Sequence, residues 1–352
     1  MPRHLSDDSQ KPIGTSSAQN WRTWLSPALL SPLFLGMAPV LGKLAYAGGS
    51  DPFTVAAVRT TLAALALWII YLLVARKYIY IFPAGLLGCV VIGVVNGLGS
   101  LMYYNGLQLV NASVAQVLNA TYLIFVVVMI RLSGQRLTQR TIIRVLLTLL
   151  AILILAGGNS SPSDWLGVGL MVGNAIMFAG TVILSQRVLY EMPAPTVTLY
   201  TVTTMAIVVV MARAVYRMSW LPQSNDALLA IAALGVTTAL SRLTLFAGVK
   251  RLGGLQTALV VALETGVTLL LSLILLPNET LTLAQWVGIA IMAATLLFAR
   301  TDDIKRRSTQ TLPVVNMAGL QFVSHATAFD AAFSVDARRK SANPAGSAPT
   351  EE

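Results

Sequence analysis

Apolar residues run along this chain in long blocks, separated by short breaks rich in polar residues, glycine or proline. A bilayer core of about 30 Å is crossed by roughly 20 helical residues at a rise of about 1.5 Å each. On that measure the pattern predicts ten membrane-spanning helices, at 25–46, 54–75, 83–105, 111–131, 138–157, 165–187, 196–215, 227–249, 254–276 and 281–299. Their connections are short, so consecutive helices are expected to lie antiparallel. Residues 1–24 read as a polar N-terminal tail without the charged and apolar regions of a signal peptide. Residues 300–352 read as a flexible C-terminal tail with at most a short helix around Leu320–Phe333.

With 56% hydrophobic and 11% charged residues, the chain is excluded from the ordinary soluble classes. Its formal net charge of +10 points to a membrane surface rather than to nucleic acid, because the basic residues gather at helix ends and in the tails. Placing the N-terminus inside puts all but five of the 24 basic residues on the inner side. Of the five, Arg213 and Arg217 fall in an outer loop, while Lys43, Arg59 and Arg242 lie within spans. A multi-pass protein of the cell membrane with both termini cytoplasmic is therefore expected, its partners the lipid bilayer and a small-molecule solute, and its state a monomer or homodimer. The single cysteine, Cys89, allows no internal disulfide. His4 and His325 lie in the tails, so no metal or other cofactor is expected in the membrane region.

The chain repeats itself faintly. At an offset of 144, Gly36 meets Gly180, Lys43 meets Arg187 and Tyr46 meets Tyr190. At an offset of 142, Gly106 meets Gly248 and Ala120 meets Ala262. These matches pair the first span with the sixth, and the fourth with the ninth. Two units result, 25–157 and 165–299. With five helices each, an odd number, the second unit must enter the membrane upside down. The expected fold is an all-α 5+5 inverted repeat, an arrangement that places a site near the midplane between the two halves.

Candidate chemistry follows from depth. Glu264 is the only acid inside a long apolar run, and an ionisable group at that depth costs about 3 kcal/mol even on lenient insertion scales. Arg242, on the preceding span, is expected roughly 6 Å to its cytoplasmic side by helical rise. Two readings stand for the pair: they face a cavity and meet a substrate or a proton, or they form a structural ion pair with each other. Asn96, Ser100, Tyr103 and Tyr104 form one stripe of the third span. Gln116, Asn119 and Tyr122 form another on the fourth, and Asn174, Thr181 and Ser185 a third on the sixth. Ser100 is the repeat counterpart of Arg242, and Tyr122 that of Glu264. Any one stripe could be polar packing between helices, worth about 0.6 kcal/mol per contact. Their convergence predicts a water-filled cavity. Arg59 and Lys43 are read as snorkelling to the outer interface, and Pro39 as a hinge within the first span. Gly93/Gly97 and Gly169/Gly173 are spaced for close helix packing.

The stretch Tyr104–Leu155 and its partner Phe246–Phe298 resemble the EamA-like family of the drug/metabolite transporter superfamily. So do the turns Gly134-Gln135-Arg136-Leu137-Thr138 and Asn278-Glu279-Thr280-Leu281-Thr282, the opening Pro39–Ala45, and Asp51-Pro52-Phe53 leading to Arg59. The resemblance covers residues 25–300. It departs at Leu123 and Thr265, where the family's fourth and ninth spans carry proline, and at Gln135, where it carries Glu. Those departures speak against kink-based gating at the two helices.

The resemblance implies a secondary carrier, often an exporter, of small organic metabolites such as amino acids or drug-like solutes. Without a nucleotide-binding loop, the drive would be an ion gradient or the solute's own. Burial disfavours the charged form of a carboxylate, which makes Glu264 the candidate for proton coupling. An intramembrane enzyme would need a nucleophile with a base, paired carboxylates or a metal cluster, and the spans hold none of these. The alternative is a receptor or scaffold signalling through the C-terminal tail.

Overall fold

The structure is a computed structural model that describes residues 20–110, 112–134, 137, 139–156, 164–215 and 224–275, with positions 283, 286–288, 290, 291 and 294. Every regular element among them is helical: α1 (Asn20–Ala47), α2 (Pro52–Leu73), α3 (Pro83–Leu109), α4 (Ala112–Ala120), α5 (Tyr122–Leu132), α6 (Gln139–Ala156), α7 (Trp165–Glu191), α8 (Ala194–Val215), α9 (Asn225–Leu252), α10 (Gly254–Val261) and α11 (Glu264–Leu275). A single 3-10 turn, Arg76–Tyr78, joins α2 to α3. Several starts are written in the sequence. Asp51 caps α2 by accepting from Thr54 N at 3.0 Å, with Pro52 in the first turn, and Asp164 and Ser224 cap α7 and α9 in the same way.

Eight spans among the described residues are long and apolar enough to cross a membrane, counting α4 with α5 and α10 with α11. The helix α6 adds a shorter apolar stretch, Thr141–Ile152. The tenth expected span, 281–299, falls mostly outside the described residues, and the C-terminal tail, the turn residues Gln135, Arg136 and Thr138, the turn 278–282, and Arg217 lie outside them. Large apolar side chains point outward, among them Leu30, Leu65, Ile69, Ile143, Leu229 and Ile274, while Arg59, Asn119 and Glu264 are buried. Apolar outside and polar inside suits a lipid solvent rather than water.

The packing repeats between halves. α1 lies along α9 as α3 lies along α7, and α1 meets α11 as α7 meets α4 and α5. These are the pairings that an exchange of each span with the one five places later would produce.

The fourth and ninth spans do not run straight, although neither carries proline. α4 gives way to α5 at Thr121, and α10 to α11 at Ala262–Leu263, positions related by the offset of 142. At both breaks the backbone tightens to three-residue bonds, Thr121 N to Leu118 O at 3.2 Å and Leu263 N to Val260 O at 3.2 Å. At the first, Thr121 Oγ1 also donates to Leu118 O at 2.6 Å, a local competitor for the helical bond. The missing prolines spoke against kinks in these two helices, yet both carry a break at corresponding positions. By contrast, α1 is one continuous helix through Pro39.

Small residues let the helices close up. A Cβ on Gly93 would lie 2.5 Å from Thr204 Cβ and 2.8 Å from Thr201 O, and one on Gly97 2.8 Å from Val208 Cβ, so α3 and α8 meet on glycine. Of the second spaced pair only Gly173 is tight, 2.9 Å from Met102 Sδ, while Gly169 faces open space. Gly253, at φ +84°, takes the left-handed turn between α9 and α10.

Candidate functional site

Two sets of contacts define the two ends of the bundle. At one end Ser224 Oγ donates to Gly48 O at 3.3 Å and Tyr46 OH to Tyr104 O at 2.7 Å. At the other, Lys250 Nζ donates to Met192 O at 2.6 Å, Gly254 N to Gln186 Oε1 at 3.1 Å and Tyr200 OH to Ile79 O at 2.6 Å. Between them lies a cavity of about 70 Å³, room for a few waters. Its wall is built by α1 (Phe34, Leu35, Ala38), α2 (Arg59), α3 (Ser100, Tyr103, Tyr104), α4 (Gln116, Asn119), α7 (Asn174, Phe178), α9 (Thr237, Thr238, Ser241, Arg242) and the first residue of α11, Glu264. Both halves of the chain contribute.

Eight of the twelve residues expected in a cavity line it: Ser100, Tyr103, Tyr104, Gln116, Asn119, Asn174, Arg242 and Glu264. They are wired together. Asn174 Nδ2 donates to Asn119 Oδ1 at 2.6 Å, and Asn119 Nδ2 donates to Glu264 Oε1 at 3.0 Å. Three helices, α7, α4 and α11, thereby meet on one carboxylate. Gln116 Nε2 donates to Thr268 Oγ1 at 3.0 Å, one turn beyond Glu264. Because Glu264 opens α11 just after the break, its side chain sits at the first turn of a helix, where the partial positive charge favours an acid.

Asn96, Tyr122, Thr181 and Ser185 do not line the cavity. Asn96 is buried one turn away on α3, and its Nδ2 has no partner. Tyr122 is fully buried, its hydroxyl donates to Ala258 O at 2.8 Å, and its ring stands edge-on to Phe178 at 4.8 Å between centroids. Since Phe178 lines the cavity and Ala258 lies on α10, Tyr122 packs behind the wall, toward the α9–α10 turn. The repeat counterparts Tyr122 and Glu264 therefore do different work.

Arg242 and Glu264 form no ion pair. Arg242 Nε and Nη1 are buried without a hydrogen-bond partner, and its guanidinium carbon lies 5.9 Å from the centre of the Phe178 ring.

The reading of Arg59 as an interfacial residue is corrected. It is 6% exposed, with Nη1 donating to Thr238 Oγ1 at 2.7 Å and Nη2 to Ser100 Oγ at 2.6 Å. Its guanidinium carbon sits 4.4 Å from the centre of the Tyr104 ring. The signal was present in Asp51 and Pro52: a helix begun there carries Arg59 about 10 Å inward, too deep for its head to regain water. Arg213 is likewise no loop residue. It lies in the last turn of α8, 1% exposed, and its Nε donates to Thr54 Oγ1 at 2.8 Å. Lys43 remains partly exposed near the end of α1. The hydroxyls of Thr237 and Ser241 were not anticipated, since threonine and serine are too common in these spans to stand out.

A bundle of apolar-faced helices packed as two related halves defines a multi-pass membrane protein with an internal polar cavity. The sequence profile of the EamA-like transporter family matches residues 22–157 and again residues 165–301. The chain belongs to that family, and is a membrane transporter of small solutes built from two repeats. One solved crystal structure aligns at a TM-score of 0.62 with 18% identity, over 80% of this chain and 99% of its own, a likeness of fold alone. Among curated protein sequences there is no significant match.

Proposed function

We propose that this transporter is a proton-coupled secondary carrier that exports small organic metabolites, amino acids or drug-like solutes among them, across the cell membrane. The observation that carries the reading is the position of Glu264. It is the one acid on the cavity wall among the described residues, it sits at mid-depth at the break of the ninth span, and Asn119 and Asn174 hold it in place. A carboxylate there can take a proton from one side and release it to the other as the two ends open in turn. The distribution of basic residues supports a cytoplasmic position for the end with Arg76, Lys77, Arg131, Lys250 and Arg251. Ten spans in two inverted sets of five complete the architecture, and Pro39 and the paired breaks at Thr121 and Ala262–Leu263 supply its hinges.

The test is solute uptake into proteoliposomes under an imposed pH gradient, with wild type and Glu264→Gln. The wild type is expected to accumulate solute against its gradient. Glu264→Gln is expected to retain downhill exchange and lose the pH-driven component. Equal accumulation with the same pH dependence in both proteins would rule out coupling through Glu264.

A further inference from the structure

The cavity carries an imbalance of charge. Arg59 and Arg242 both line it, and guanidinium groups keep their proton inside proteins. Glu264 is the only acid beside them among the described residues, so the wall stays net positive even when Glu264 is ionised. The two cations are not equivalent. Arg59 is bound on two sides by Ser100 and Thr238 and backed by Tyr104, which fixes it as part of the wall. Arg242, 9% exposed, packs on the Phe178 ring and leaves Nη1 as well as Nε without an acceptor, whereas Arg59 leaves only its Nε unpaired. Glu264 shares the wall with Arg242 but makes no hydrogen bond to it, so these buried donors keep the desolvation penalty of an unmade bond. Planar guanidinium recognises carboxylates well, in one or two charge-assisted hydrogen bonds.

We infer that the transported solute carries an anionic carboxylate, which Arg242 binds directly in the cavity while Arg59 supplies a fixed second positive charge. The inference rests on the carrier reading above and adds the charge class of its solute. Across the cavity, Glu264 then tends the remainder of the solute or the proton, so the two opposite charges of the wall act on different parts of the cargo. The asymmetry has a sequence basis. Arg242 stands where the first repeat has Ser100, so this position carries a charged donor in the second half only.

The experiment compares matched acids and amides on the full-length protein in detergent. Thermal unfolding is followed with lactate against lactamide, and with phenylacetate against phenylacetamide, at constant chloride and ionic strength. The acids are expected to raise the unfolding midpoint and the amides to leave it unchanged. In Arg242→Gln the apparent affinity for the acids should fall at least tenfold. Arg242→Lys, which keeps the charge without the planar donors, should fall between. Equal shifts for acids and amides, no shift with any of the four, or full retention of the acid response in Arg242→Gln would overturn the inference. The wild-type acid–amide comparison stands even if a variant fails to fold. Uptake of a neutral or cationic solute by wild-type proteoliposomes, unaffected by Arg242→Gln, would overturn it while leaving the carrier reading intact.

Discussion

Arg59 offers the sharpest test of how this membrane interior is held together. Its two terminal nitrogens donate to Thr238 at 2.7 Å and Ser100 at 2.6 Å, and the group stacks on Tyr104 at 4.4 Å. Two perturbations separate the terms. Removing both acceptors, in Ser100→Ala with Thr238→Ala, leaves the cation buried and unsatisfied. At about 1–3 kcal/mol per orphaned group the double variant should lose roughly 2–6 kcal/mol. Replacing the cation instead, in Arg59→Met, gives up the same two hydrogen bonds and a cation–π contact worth about 2 kcal/mol when desolvated. It also removes the desolvation penalty of the charge, several kcal/mol. The gains and losses nearly cancel, so Arg59→Met should sit within about 2 kcal/mol of wild type. The expected order of stability in detergent, read by thermal unfolding, is wild type near Arg59→Met, with the double variant well below. If the double variant matches wild type, or Arg59→Met is the less stable of the two, the hydroxyl pair is not what satisfies Arg59.

Other contacts make their own predictions. Gly93→Val drives a side chain into Thr204 and the Thr201 carbonyl and should cost about 1–3 kcal/mol in thermal unfolding, whereas Gly169→Ala, which meets nothing within 4 Å, should be neutral. Asn119→Leu strips Glu264 Oε1 and Asn174 Nδ2 of their partner. Combined with Glu264→Gln in a double-mutant cycle, it should show a coupling of about 0.5–3 kcal/mol, and simple additivity would count against the relay. Tyr122→Phe deletes only the hydrogen bond to Ala258 O and keeps the edge contact with Phe178. At about 0.6 kcal/mol it should shift the balance toward opening at the α10 end about threefold. In a Cys89→Ser background with Ser185→Cys, that reads as a similar rise in thiol labelling rate, and an unchanged rate would show that the Tyr122 hydrogen bond does not restrain opening at that end.

Much of the site was legible along the chain because a bilayer leaves few options. A carboxylate in an apolar span cannot be incidental, so Glu264 announced itself by depth alone. Stripes at helical spacing marked Ser100, Asn119 and Asn174, since a helix turns polar side chains toward one line. The repeat offsets related α3 to α9 before any packing was known. What the sequence determined, then, was the class: apolar blocks of spanning length, two related halves and a polar seam between them. Tertiary structure decided which polar residues belong to the seam, because that depends on the rotation of each helix against neighbours distant in sequence. It turned Tyr122 behind the wall, left Asn96 outside it and brought Arg59 in. It also broke α4–α5 and α10–α11 without proline, through backbone bonds that no residue type advertises. Above all it kept Arg242 and Glu264 from pairing. Their separation is set by the approach of α9 and α11 across other helices, a distance that one-dimensional depth does not contain.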